Sequence, residues 1–296
     1  MVLNALSQRE SFACMRELDA HALGLRLPKG LTLWWLGTAG YAFAYEGHTL
    51  LIDPYVSRAS FAEVVLRKRL TSDPALLERF VPRADAVLVG HTHFDHAVDV
   101  PAIARRDGCK VYGSSSMTRL MRLNGMPDQA VTVEHGRRYD IGPFEVTLID
   151  SLHAKLVLGL AVPNDGEIAC EQLDGLTANA YRCGNVYSMH VRVAGATFYH
   201  QGSANLIEER IPFHGVDYLL MGIAGRGFTR NYTERTIRKL DPGVIIPTHH
   251  DNFFRKLDEP MGFSFNVRFD RFVDEAARVS RSLTVRTLAP LTALHG

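Results

Sequence analysis

The sequence predicts an α/β protein in which two mixed β-sheets pack face to face with helices on their outer faces, an αββα sandwich. Three observations carry this. Between Leu31 and Pro54 three short apolar runs (LTLWWLG, YAFAYEG, HTLLIDP) follow one another across Gly and polar turns, as consecutive strands of a meander do. From residue 84 to 125 strand-type and helix-type segments alternate, and after residue 131 the same grammar returns, strands first and alternation later. Two β-rich halves, each followed by helices, bury their apolar faces as stacked sheets. No repeat of fixed period and no low-complexity linker divides the 296 residues. The chain therefore reads as a single domain over 1–296, with an N-terminal helical extension (1–30) and a C-terminal helix and strand (261–296).

Each element has a local reason. Residues 8–23 place Phe12, Met15, Leu18 and Ala22 at helical spacing before the break at Gly24 and Pro28. After the meander, FAEVVLRKRL (61–70) reads as a helix. DPALLERF reads as a short helix capped by Asp73 with Pro74 in its first turn. ADAVLVG is a buried strand that runs straight into HTHFDH. PAIARRDG is a helix, KVYG a strand, and SMTRLMRLNG a helix that Gly125 ends. In the second half VTVEHG, FEVTLIDSLH, GNVYSMHVRV and ATFYHQG are strands, SANLIEERI a loop with a short helix, and VDYLLMG a buried strand. TERTIRKL is a helix, VIIPTHH a strand with a polar end, and DRFVDEAARVSR the last helix. Residues 154–182 show no period and contain Pro163, Gly166 and Gly175, as an active-site cover or a disordered insertion would.

Composition narrows the classes. With 46% hydrophobic and 22% charged residues the chain can build a core, which excludes an intrinsically disordered protein. Lys+Arg 33 against Asp+Glu 32 offers no basic field for nucleic acid. No apolar run is long enough to span a bilayer. The N-terminus lacks the basic and unbroken apolar regions of a signal peptide, and the four cysteines have no CxxC spacing. These features predict a cytoplasmic protein with reduced thiols and a small-molecule substrate, and leave a homo-oligomer open.

The 13 histidines carry the chemistry. His91-Thr92-His93-Phe94-Asp95-His96 delivers three imidazoles and a carboxylate from the end of one apolar strand. These ligand types suit Zn²⁺ and similar first-row ions, for which several must converge on one point. In an extended segment His91 and His93 share a face, so both can address one ion, while Asp95 and His96 address a second. Three more strand ends supply candidates: His153 after FEVTLIDSL, Ser203 after ATFYHQG, and His249 at the end of VIIPTH.

Asp53 in LLIDP, the HTHFDH hexad, His153, His200-Gln201-Gly202-Ser203 and PTHH stand in the order of the metallo-β-lactamase-fold hydrolases, which the chain resembles over residues 31–255. The opening WLGTAGYAFAYEGHTLLIDP is similar to the branch holding ascorbate-6-phosphate lactonases and related phosphodiesterases and lipases. The resemblance implies that His91, His93 and His153 hold a first metal and Asp95, His96 and His249 a second. It places Asp53 behind the hexad, orienting imidazoles by hydrogen bonding. It also implies a hydrolase that turns a metal-activated hydroxide on a lactone, ester or phosphodiester, with Asp95 both ligating and holding the nucleophile.

One position departs from the family. The motif normally ends Gly-Asp with a bridging aspartate, and here it reads Gly202-Ser203. A neutral hydroxyl is a poor ligand, so the expectation is one tight Zn²⁺ and a weaker second, with Mn²⁺ or Fe also compatible. An anionic substrate, Asp251 or a carboxylate from the 164–174 loop are the candidates for the missing charge. The change also keeps a second class open, a non-catalytic metal-binding or ligand-sensing relative. Arg226, in the Gly-rich segment MGIAGRGFTRNY, is a candidate for holding an anionic part of the substrate, against the reading of a solvated arginine.

Overall fold

The computed structural model describes residues 2–265 and 267–296, with side chains from residue 8 onward. Helix α1 (Val2–Glu17) leads into strands β1 (Thr32–Gly37), β2 (Gly40–Tyr45) and β3 (His48–Ile52), then helices α2 (Phe61–Val65) and α3 (Pro74–Phe80). Strand β4 (Ala86–Leu88) is followed by α4 (Phe94–Ala97), α5 (Val100–Asp107), β5 (Lys110–Gly113), α6 (Ser115–Leu123) and β6 (Ala130–Thr132). The second half runs β7 (Arg138–Ile141), β8 (Phe144–Ser151), β9 (Val186–Val193), β10 (Ala196–Gln201), β11 (Tyr218–Gly222), α7 (Tyr232–Leu240) and β12 (Val244–Thr248). It ends in α8 (Phe269–Val279), β13 (Thr284–Val285) and β14 (Ala293–His295).

The strands form two seven-stranded sheets, in the orders β14-β1-β2-β3-β4-β5-β6 and β13-β12-β11-β10-β9-β8-β7. Both are mixed, as expected, and they repeat one plan. In the first, β14 through β3 are antiparallel and β3 through β6 parallel; in the second, β7 through β10 are antiparallel and β10 through β13 parallel. Antiparallel pairing gives way to parallel pairing at β3/β4 and at β10/β11. In open sheets with parallel strands, ligands bind beyond the carboxyl ends of the strands.

Alternation along each strand builds the layers. Leu50, Ile52 and Leu88 of the first sheet meet Val146, Phe198, Leu220 and Ile246 of the second in a shared core. Their neighbours Leu51, Val87 and Val89 face outward onto Ile103, Leu120 and Met121 of α5 and α6. Leu219, Met221 and Ile245 face the other way onto Ile237, Leu240, Phe269 and Phe272 of α7 and α8. Phe12 and Met15 of α1 pack on that outer layer.

Several boundaries differ from expectation, each for a local reason. The first helix stops at Glu17, because Ala20 turns to bond Thr287 O. The helix expected over 61–70 stops at Val65, where Arg67 takes φ +50 and the chain leaves to bond Leu176 O through Leu70 N. The hexad is extended only through His93 and then makes the turn α4. Segment 154–182 lacks regular strands or long helices, yet it is anchored: Ile168, Leu176 and Tyr181 are buried against the outer layer of the first sheet, and Ser116 Oγ bonds both Glu167 and Ile168 N. Among the described residues no helix is long and apolar enough to cross a membrane.

Candidate metal centre

The site stands on the ends of β3, β4, β8, β10 and β12. Asp53, just past β3, is fully buried, and its Oδ1 accepts from Gly90 N at 2.7 Å. Gly90 is needed there: a Cβ would lie 3.1 Å from Asp53 Oδ2 and from Tyr187 O. The next residues alternate. Thr92 points back to bond the carbonyls of Arg182 and Cys183, so His91 and His93 point together into the cleft, with His91 Nε2 3.1 Å from His93 Nδ1.

The ring nitrogens are assigned by their neighbours, since a carbonyl only accepts. His93 Nε2 donates to Pro163 O at 2.8 Å, leaving Nδ1 free, and His153 Nδ1 donates to Ala154 O at 2.7 Å, leaving Nε2 free. The His153 ring lies 5.0 Å from that of His91 and 4.7 Å from that of His93. His96 turns Nδ1 toward Asp53 Oδ2 at 2.9 Å, off the ideal hydrogen-bond line, and so directs Nε2 away from it. Asp95 Oδ2 is 3.2 Å from His249 Nε2 and 3.8 Å from His96 Nε2. The two groups adjoin, with the rings of His91 and His96 3.9 Å apart.

His249 reaches this point from a left-handed backbone (φ +55), locked because His249 N and Thr248 Oγ1 both donate to Thr38 O. Thr38 N is held in turn by Asp251 Oδ1 at 2.9 Å, and Asp251 Oδ2 is ion-paired with Arg58 at 2.7 Å. Asp251 is therefore committed to the scaffold. Of the carboxylates of 164–174, Glu167 is bonded to Ser115 and Ser116, Asp174 to Arg69 and Asp165 to Gly166 N, while Glu171 is exposed; none of the four lines the cleft. Asp251 is likewise absent from the lining, so no carboxylate from either source stands in the cleft beside Ser203. Ser203 does line the cleft, with its carbonyl accepting from Gln201 Nε2 at 2.9 Å.

Electrostatics suits a cation. Burial pushes His91, His93 and His153 down, His153 to about 3, so these imidazoles are neutral, the form that ligates. Burial alone would raise Asp95, but His96 and His249 outweigh it and hold its carboxyl far below the usual range. Burial would lower His96, yet Asp53 and Asp95 raise it. The neutral imidazoles of His91, His93 and His153 beside the ionised carboxylate of Asp95, converging on one cleft, form a donor set that a divalent ion completes.

One neighbour was not anticipated. The ligand atoms of Cys183, His91 and His93 lie within 4.8 Å of one another. Burial pushes the Cys183 thiol up to about 12, which keeps it protonated. No spacing in the sequence signals it, because it arrives through the Thr92–Cys183 backbone contact across 91 residues.

The histidines floor a cleft of ≈ 210 Å³ whose walls are Phe94, Phe253, Phe254, Leu156 and Pro163. Arg226 is not among its lining residues, which corrects the anion-holding expectation. Its guanidinium pairs with Glu275 at 3.0 Å and donates to Arg268 O at 2.8 Å, leaving the side chain 9% exposed in a separate polar depression.

Residues 32–249 match the profile of the family described as "Beta-lactamase superfamily domain". A UPF0173 metal-dependent hydrolase of Anaeromyxobacter sp. (strain K) is 29% identical over 231 residues, covering 74% of each chain. Another, of Carboxydothermus hydrogenoformans, is 27% identical over 229 residues, covering 75% of this chain and 86% of its own. The metallo-beta-lactamase fold protein YhfI of Bacillus subtilis superposes with a TM-score of 0.57 at 18% identity, covering 90% of this chain and 99% of its own.

Proposed function

The chain belongs to the beta-lactamase superfamily, and from that premise we propose that it is a metal-dependent hydrolase acting on an ester, lactone or phosphodiester bond of a small molecule. One observation carries the reading: His91, His93 and His153, and beside them Asp95, His96 and His249, converge from both sheets on the floor of one cleft. The first three would hold one ion and the second three another; the nitrogen-rich set favours Zn²⁺, with Mn²⁺ or Fe compatible. Bound there, a divalent ion lowers the pKa of water toward neutrality and polarises a carbonyl or phosphoryl oxygen.

The protein's own groups do the rest. Asp95, held ionised, accepts a hydrogen bond from the attacking water and fixes its direction. Asp53 holds His96, and the carbonyls of Pro163 and Ala154 hold His93 and His153, so the imidazoles are set before substrate arrives. Phe253 and Phe254 keep bulk water from one side.

Ser203 favours a second reading, a relative that binds metal or a ligand without turnover. Metal content by elemental analysis, together with turnover of a panel of uncharged esters and lactones and of anionic phosphodiesters, separates the two. The hydrolase reading expects bound metal and turnover that His91→Ala/His93→Ala abolishes. Bound metal with no turnover across the panel selects the second reading, and metal content unchanged in the double variant refutes the site.

A further inference from the structure

No basic side chain of the described residues reaches into the cleft to hold an anionic group away from the proposed metal-binding floor. Among its lining residues there is no Lys or Arg, and the guanidinium expected to serve is ion-paired elsewhere. One wall is instead a continuous aromatic path that begins at a candidate ligand and ends in solvent. His249 meets Phe253 at 5.7 Å between ring centroids, Phe253 meets Phe254 at 4.4 Å, and Phe254 meets Phe61 at 5.5 Å. Phe61 is 63% exposed, and Val65 and Leu66 extend the strip along α2.

The facing wall is also apolar. Leu156 lines the cleft and occupies space that Gly225 leaves open, since a Cβ on Gly225 would lie 2.4 Å from Leu156 Cδ2. From Leu156 the chain makes a tight hairpin, Val157 N bonding Ala161 O, whose tip is Leu158 at φ +52 and Gly159 at φ +74. A bulky residue in the left-handed region is an outlier. Here it carries a leucine that is 86% exposed two residues beyond the cleft-lining Leu156, with Leu160 at 77% beside it. Exposed apolar side chains adjoining two apolar cleft-lining segments, at Phe254 and at Leu156, mark a binding surface.

We propose that the substrate carries an uncharged alkyl or aryl group, which lies between Leu156 and the Phe253–Phe254 wall and leaves the cleft between Phe61 and the 156–161 hairpin. Phe254 and Leu156 are the specificity-determining residues. The inference rests on reading this cleft as the hydrolytic site. The source of selectivity is area: each added methylene leaves water for an apolar wall, and a charged or polar group at the same place loses hydration with no partner.

The test measures binding, so it requires neither turnover nor a metal. Straight-chain alcohols from 1-butanol to 1-octanol are titrated into the purified protein by ligand-observed NMR, with 1,6-hexanediol as the polar-ended control. Affinity is expected to rise about fourfold per methylene, the ratio equivalent to about 0.8 kcal/mol. The diol is expected to bind at least tenfold more weakly than 1-hexanol. Leu156→Ala and Phe254→Ala should flatten the dependence on chain length, and Phe254→Leu should restore most of it. A dependence that is absent, equal for the diol, or unchanged in folded Leu156→Ala and Phe254→Ala overturns the proposal. Metal content of the same samples is read separately, so failure of the metal site and failure of the apolar subsite appear as different results.

Discussion

At the residue scale the position with most consequence is Ser203. Two dications about 3.5 to 4 Å apart repel strongly, and a bridging carboxylate normally offsets part of that. Serine offsets it only as an alkoxide, and the nearby carboxylates are taken, Asp251 by Arg58 and Thr38 N. The purified protein is therefore expected to hold closer to one tight metal than two. Ser203→Asp should tighten the second site about tenfold, roughly 1.4 kcal/mol, in a metal titration of the chelator-stripped protein. Two equally tight sites in the unaltered protein would refute this. Asp251 itself makes a second prediction. Its partner Arg58 has a side chain 1% exposed, so Asp251→Ala strands a buried guanidinium and should cost about 3–5 kcal/mol. It also frees the Thr38 turn that holds His249, so affinity for the second ion should fall with stability. A denaturation curve with unchanged metal affinity would confine Asp251 to folding. The hexad was legible because its donors are contiguous, whereas Arg58 and Asp251 lie 193 residues apart and neither has a motif.

At the element scale, strands with alternating or unbroken apolar residues bounded by Gly or polar turns were readable nearly to their ends, β1 to β3 and β8 to β12 among them. Those that escaped lack that signal. In β7, Arg138-Tyr139-Asp140-Ile141 is an edge strand paired only with β8, where charge belongs, and β13 is two residues long. The switch from β10 to β11 depends on a contact no pattern announces. A Cβ on Gly222 would lie 2.8 Å from Gln201 O and from Gly202 O, both backbone, so neither can rotate away. Gly222→Ala is therefore expected to cost about 1–3 kcal/mol by overpacking and to shift the turn that carries Ser203. Gly227→Ala, with no atom near its Cβ, should stay within about 0.5 kcal/mol of the unaltered protein. Chemical denaturation of the pair decides it, and equal midpoints would mean that the β10–β11 approach is not tight.

Across the whole molecule the candidate centre joins the two sheets, the hexad following β4 of the first and His153 and His249 following β8 and β12 of the second. Ions bound there tie both halves of the sandwich, and at a free concentration of about 1,000 times Kd each adds about 4 kcal/mol to stability. The burial that keeps several histidines neutral makes the metal-free protein sensitive to acid. Burial pushes His153 down to about 3 and His250 to about 4. Burial, then the charge of Arg192, pushes His190 to about 4 as its ring stacks on Phe213 at 3.7 Å. In the unfolded chain these groups titrate near about 6.5. Above that pH both states are neutral and no dependence arises. As pH falls from about 6.5 toward 4 the unfolded chain takes up protons that the fold refuses, so stability drops, by up to about 1.4 kcal/mol per pH unit for each group. His96, raised by Asp53 and Asp95 despite its burial, acts in the opposite sense, adding stability at low pH that is lost as pH rises through its folded value. The depressed histidines outnumber it, so urea midpoints of chelator-stripped protein should fall between pH 7.5 and pH 5. His190→Phe keeps the stack on Phe213, touches no candidate ligand, and should make that fall shallower. An equal fall in the variant would show that His190 accepts its proton inside the fold.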